Sequence, residues 1–258
     1  MAGQIYQPYF IEGADRDGAW VITADHARNT VPDFVAGGDL GVAADDMARH
    51  IAFDPGAEGV ARALGAQLNS PAIWSNFSRL VIDPNRGMDD PTLVMKLYDG
   101  TLIPANRHLT EDDFQRRLSR CYTPYHDALA DLLAARNDPV ICAVHSFTPQ
   151  LRGRDPRPWH IGILTTSDRR LADPVLDLLR ADPDLCVGDN APYKGHLPKD
   201  TVDRHAVAHG RLNVLIELRN DLIETPAQQQ HWAARLAPVL AQALSQYRSP
   251  EGAHHVPA

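Results

Sequence analysis

The sequence predicts an α/β fold in three layers, α/β/α, built around a mostly parallel mixed sheet. Short apolar runs rich in Val and Ile recur along the chain and are bounded by turn formers, as buried strands are. Helical patterns lie between these runs, and no internal repeat or Gly/Ser-rich linker breaks the alternation. In chain order, the strand runs are 19–24 (AWVITA), 79–82 (RLVI), 139–146 (PVICAVHS), 161–166 (IGILTT) and 213–218 (NVLIEL). A helix is expected over 56–68, where GAEGVARALGAQL combines good propensity with small residues. A longer one begins after Thr110, whose T-x-x-D pattern with Asp113 caps its start. Phe114, Leu118, Tyr122, Tyr125, Leu129 and Leu132 then recur at helical spacing. Pro124, lacking an amide hydrogen, should kink or break it. The last helix opens with Thr225 as N-cap, Pro226 at the first helical position and Gln228 closing a capping box. Trp232, Leu236, Val239, Leu240 and Leu244 form its apolar stripe. One compact domain is expected over 1–258, with its core from about 17 to 248 and a disordered tail at 249–258.

Charge and composition narrow the function. Lys and Arg number 25 against 33 Asp and Glu, a formal charge of −8, which argues against a general polyanion binder and hence against nucleic acid. No apolar run approaches the ~20 residues that span a bilayer. The first 18 residues lack the basic start and apolar core of a signal peptide, so no membrane or export step is expected. Cys121, Cys142 and Cys186 are odd in number, scattered and free of C-x-x-C spacing. They suit a reducing cytoplasm rather than a disulfide framework. Twelve histidines are more than a chain of this length usually carries.

In open α/β sheets, ligands gather at the carboxyl ends of strands. Asp25-His26 follow the first run, His145-Ser146 close the third, and Glu217 lies near the end of the last. Two neutral imidazoles that hold a metal and a carboxylate that takes a proton from water are the parts of a zinc hydrolase. The plainer alternatives are hydrogen-bonded structural histidines and a Glu217–Arg219 pair, though an unpaired carboxylate inside an apolar strand is expensive. Asp54, before Pro55-Gly56 and a helix, is either an N-cap or a metal carboxylate. His50 reads as structural. Arg86, in the turn Asp83-Pro-Asn-Arg-Gly, is placed either to grip a carboxylate with its planar fork or to pair with Asp83. Phosphate-binding and dinucleotide glycine motifs are absent, as is G-x-S-x-G. Ser146 beside His145 is no serine dyad, because neighbours on a strand face opposite ways, and Cys142 reads as core.

Seven ordered segments, TADHARNTVP, HIAFDPGAEGVARALGA, SRLVIDPNR, VHSFTP, RPWHIGIL, DNAPY and VLIELRNDLI, resemble the N-formylglutamate amidohydrolase family over roughly 19–232. That family is similar to the zinc carboxypeptidases and aspartoacylase-type deacylases, so the resemblance implies a zinc-exopeptidase type of fold. It implies His26 and His145 as metal ligands, Glu217 as general base, and Asn85 with Arg86 as clamp for a substrate carboxylate. One departure stands out: the carboxypeptidase H-x-x-E pattern here ends in Asn29, and an amide is a poor metal ligand. Asp54 is the preferred third ligand, with Asp25 and Asn29 as alternatives. The implied activity is hydrolysis of an N-acyl amino acid, N-formyl-L-glutamate to formate and L-glutamate, with a divalent metal, zinc first, as cofactor. Arg79 is the candidate for stabilising the oxyanion. A second substrate carboxylate needs a further cation, for which Arg152, Arg154, Arg157 and Arg219 compete, Arg157 and Arg219 foremost. The rival reading, motivated by Asn29, is a small-molecule-binding or scaffold protein that keeps the fold without the metal.

Overall fold

The structure is a computed structural model and describes residues 6–165, 168–195 and 197–249. The tail expected to be disordered falls, from residue 250, outside the described residues, as do Thr166 of the fourth strand run and His196. Seven strands form one sheet: β1 (Tyr9–Glu12), β2 (Trp20–Ala24), β3 (Ala72–Ser75), β6 (Val140–Phe147), β7 (Ile161–Leu164), β8 (Val187–Asp189) and β9 (Asn213–Arg219). A separate hairpin joins β4 (Leu97–Tyr98) to β5 (Thr101–Leu102). The order is β1-β3-β2-β6-β9-β7-β8, with only the β1–β3 and β7–β9 pairings antiparallel. The sheet is therefore mixed and mostly parallel.

The helices are α1 (Ala44–Met47), α2 (Ala57–Gln67), α3 (Glu111–Arg117), α4 (Thr123–Ala134), α5 (Ala172–Arg180), α6 (Thr201–His205) and α7 (Pro226–Arg248). Strand alternation sorts the core into two faces. Ile22, Cys142, Val144, Val214 and Ile216 pack under α2, α5 and α7. Val21, Ile141, Ala143 and Leu215 pack under α4 and α6. His145 and Glu217 continue the second series, so both side chains belong to the face that α4 covers.

Local chemistry explains the helix ends. Thr110 accepts from the amide of Asp113, and Thr225 with Gln228 forms the full capping box. Pro124 does not break its helix. A π-helical turn over Leu118–Tyr122 joins α3 to α4 and places the proline at the start of α4, where its missing N–H and its bulk are tolerated. Pro238 inside α7 is likewise carried by a helix whose apolar face is held on α2.

The run 79–82 is not a strand. Leu80, Val81 and Ile82 are fully buried, yet the chain turns there, with the amide of Val81 donating to Ser78. No neighbouring strand satisfies its carbonyls. Asn106 Nδ2 donates to Leu80 O at 2.8 Å and Arg117 Nη1 to Val81 O at 2.8 Å. Arg117 also donates to Asn106 Oδ1 at 2.7 Å. Two buried polar side chains from distant segments replace a sheet ladder, a substitution that apolarity alone does not reveal. The sheet position goes instead to Ala72–Ser75, which pairs with both β1 and β2.

Candidate metal centre and active site

The site is assembled at the carboxyl edge of the sheet. Asp25 and His26 follow β2, Asp54 precedes α2, and His145 and Glu217 are direct partners across β6 and β9. The loop carrying Asp54 is fixed by its own backbone. Its amide donates to His26 O at 2.7 Å, the amide of Arg79 donates to Ala52 O at 3.1 Å, and Ser146 Oγ donates to Pro55 O at 2.8 Å. Gly56 turns the chain into α2 at φ 83°, and a Cβ there would meet Ile223 O at 2.3 Å. Opposite Glu217 in the β7–β9 pair stands Gly162, where a Cβ would lie 2.0 Å from Ala191 O. Glycine therefore lets the segment after β8 lie against the sheet and bring Pro192–Gly195 to the site.

Three donors converge. Asp54 Oδ2 is 2.9 Å from His145 Nδ1 and 3.3 Å from His26 Nδ1, and the donor atoms of the three buried residues all lie within 4.8 Å of one another. Two imidazole nitrogens and a carboxylate oxygen are the donor chemistry that suits zinc and its neighbours. The far nitrogens also face carboxylates: His26 Nε2 lies 2.7 Å from Asp83 Oδ1, and His145 Nε2 faces Asp25 Oδ2 at 3.5 Å. This outer support orients ligating imidazoles in metal sites generally. The donor set thus fits a divalent metal. Asp54 does not act as an N-cap, since α2 has no side-chain cap. Asn29 faces elsewhere, donating to Met47 O at 2.8 Å.

Charges around the centre are arranged in opposition. Burial works against the charge of Asp54, but His26 and His145 hold its carboxyl far below the usual range. Burial likewise opposes Asp83, which Arg79 and His26 nonetheless keep ionised. Arg79 donates to Asp83 Oδ2 from Nε at 3.1 Å and Nη2 at 2.8 Å, leaving Nη1 3.6 Å from Asp54 Oδ1. Glu217 behaves oppositely. Burial pushes its carboxyl up to about 8 against the pull of His145, and its Oε2 has no hydrogen-bond partner among the described residues.

These groups line a cavity of about 430 Å³ that His26, Asp54, Arg79, Asn85, Arg86, His145 and Glu217 share. Arg86 does not pair with Asp83; Nε donates to Thr92 Oγ1 at 3.1 Å and Nη1 to Asn85 O at 2.7 Å. Asn85 Oδ1 accepts from the amide of Thr201 at 3.1 Å. Of the further cations, Arg219 is turned to Asp221 and does not pair with Glu217, and Arg157 donates to Thr148 O and Tyr193 OH. Neither lines the cavity. Arg152 reaches Asp46 instead. The wall holds residues that sequence reading passed over: Tyr98, Tyr193, Lys194 and His50, read there as merely structural. Lys194 directly follows the segment DNAPY, a motif with no stated role, and that adjacency was the available signal.

A buried His–Asp–His group beside an acid of raised proton affinity, set at the edge of a mostly parallel sheet, has the parts of a metal-assisted hydrolase. The family model for N-formylglutamate amidohydrolase matches residues 18–224, and the chain belongs to that family. Among solved structures, it is similar to the gene product Atu2144 from Agrobacterium tumefaciens at 36% identity, with TM-score 0.88, covering 95% of this chain and 97% of that one. It shares its fold with the N-formylglutamate amidohydrolase from Ralstonia eutropha JMP134, at 22% identity and TM-score 0.57, covering 91% of this chain and 98% of that one. No curated protein matches. No helix among the described residues is long and apolar enough to cross a membrane.

Proposed function

We propose that the protein is a metal-dependent amidohydrolase acting on N-acyl amino acids, with N-formyl-L-glutamate as substrate and formate and L-glutamate as products. The observation that carries this reading is the convergence of His26, Asp54 and His145 on the wall that also bears the unpartnered oxygen of Glu217. His26 Nδ1, His145 Nδ1 and Asp54 Oδ2 would hold the metal, with zinc the ion their chemistry suits first. When bound, such an ion supplies a Lewis acid that lowers the pKa of a water and polarises the scissile carbonyl.

The chain's own groups do the rest. Glu217 takes the proton from the attacking water and delivers it to the leaving nitrogen; it lines the cavity with Oε2 unpartnered among the described residues, placed for both halves of that task. Arg79, held by Asp83 through Nε and Nη2, lines the cavity and offers Nη1 to charge developing on the carbonyl oxygen. Asn85 and Arg86 bind the α-carboxylate. Arg86 is suited to this because its partners are neutral oxygens, leaving its charge without a hydrogen-bonded carboxylate among the described residues. Lys194 lines the same cavity, whereas Arg157 does not and Arg219 pairs with Asp221, which favours Lys194 for a second substrate carboxylate. Metal analysis of protein purified without chelator, combined with a formate-release assay, tests the reading. One divalent metal per chain and turnover of N-formyl-L-glutamate are expected; neither metal nor turnover across N-acyl amino acids would refute it. Glu217→Gln should keep the metal and lower kcat by about 10²–10⁴-fold, and undiminished kcat would remove Glu217 from the chemistry.

A further inference from the structure

Asp25 is a carboxylate without solvent contact that is not one of the three converging donors. Its Oδ1 accepts a hydrogen bond from Tyr125 OH, a side chain on α4 that is also fully buried. Its Oδ2 faces His145 Nε2 at 3.5 Å. Neither of these atoms has a hydrogen-bond partner among the described residues, so each is the other's available complement. Burying a carboxylate in this way is costly for stability, and a neutral residue of similar shape would avoid the cost.

The geometry around the two imidazoles gives the carboxylate a task. Each ring turns Nδ1 toward Asp54 and Nε2 toward a second buried carboxylate, Asp83 for His26 and Asp25 for His145. An imidazole that gives the Nδ1 lone pair to a cation must carry its proton on Nε2, and that proton needs an acceptor where water is excluded. Asp83 serves several partners, because it also binds Arg79 and the amide of Asn85. Among the described residues, Asp25 has Tyr125 as its side-chain hydrogen-bond partner and faces His145.

We propose that Asp25, anchored by Tyr125, is a positioning residue that fixes His145 as its Nε2–H tautomer with the Nδ1 lone pair directed at the metal position. The inference rests on the reading of His26, Asp54 and His145 as metal ligands. It makes β2 supply both a ligand, His26, and the support for the ligand on the neighbouring strand. It also makes α4 part of the metal centre, although no α4 side chain is among the ligands.

The test is zinc affinity of the purified full chain, measured by competition with a chromophoric chelator, for wild type, Asp25→Asn and Tyr125→Phe. Wild type should bind one zinc per chain. Asp25→Asn should lose about 10–100-fold in affinity, and Tyr125→Phe a smaller part of that. Proton NMR of the zinc-loaded wild type should show a downfield ring N–H resonance that His145→Asn removes and Asp25→Asn shifts or broadens; a role only in folding would leave it in place. Zinc affinity of Asp25→Asn within about twofold of wild type, against the 10–100-fold expected, overturns the proposal while leaving the ligand reading intact. Wild type that binds no zinc overturns both. If Asp25→Asn does not fold, Tyr125→Phe decides: unchanged affinity and an unchanged resonance overturn the assignment.

Discussion

Acid should destabilise this protein through one buried pair of histidines. His126 on α4 and His205 on α6 are 4% and 6% exposed, and their rings stack at 5.2 Å with His126 Nδ1 2.9 Å from His205 Nε2. His126 Nε2 donates to Pro84 O at 3.0 Å, so Nδ1 is left to accept from His205 Nε2–H and both rings are neutral. Burial, with Arg204 adding, lowers His126 to about 3 and His205 to about 4, from 6.5. Between those values and 6.5 the unfolded chain binds protons that the folded chain refuses. Stability is therefore intact above about 6.5 and is lost as pH falls toward 4. At pH 5 each histidine contributes a loss of about 2 kcal/mol, from 1.5 units at 1.36 kcal/mol per unit, and the pair about 4 kcal/mol. Urea unfolding of metal-free protein at pH 7 and pH 5 measures this, with the double variant His126→Gln/His205→Gln as reference. The variant starts less stable but should lose about 4 kcal/mol less than wild type over that interval. Equal losses in the two proteins would refute the neutral-pair account. Because the pair holds Pro84, the same acid step should loosen the turn that carries Asn85 and Arg86.

Three further outcomes can be checked. Arg86→Ala should raise KM for N-acyl amino acids by about 10–100-fold with a smaller change in kcat, and an unchanged KM would assign Arg86 to the turn alone. Lys194→Ala should raise KM for N-formylglutamate but not for an N-formyl amino acid with an apolar side chain; equal effects on both would remove Lys194 from specificity. Asn106→Ala deletes two donors to buried carbonyls and the acceptor for Arg117, and should lower the unfolding free energy by about 3–4 kcal/mol. A loss within the ~0.5 kcal/mol typical of surface changes would mean that the 79–82 segment holds its shape without it.

Much of the framework was readable from local pattern. The strands around positions 20, 140, 161 and 213, the capped ends of α3 and α7, and α2 all follow from periodicity and end-group chemistry, which act over a few residues. The placement of His26, His145 and Glu217 at strand ends was legible for the same reason. The run 79–82 is not legible in this way: its apolarity predicts burial, but burial is shared by strands and by turns whose carbonyls find side-chain donors. Ala72–Ser75 was missed because its strand identity comes from pairing with β1 and β2, not from its own four residues.

The sequence by itself determined the layered α/β architecture, the family and the residue types of the site, because these are written in short-range pattern and ordered motifs. Only the tertiary structure decided that Asp54 rather than Asn29 faces both imidazoles. It alone turned Arg219 away from the cavity, brought Lys194 to its wall and set Asp25 behind His145. Each of these is a meeting of side chains from separate elements. Such meetings depend on sheet register, on which face a strand residue takes, and on close backbone approaches such as that of Ala191 to Gly162.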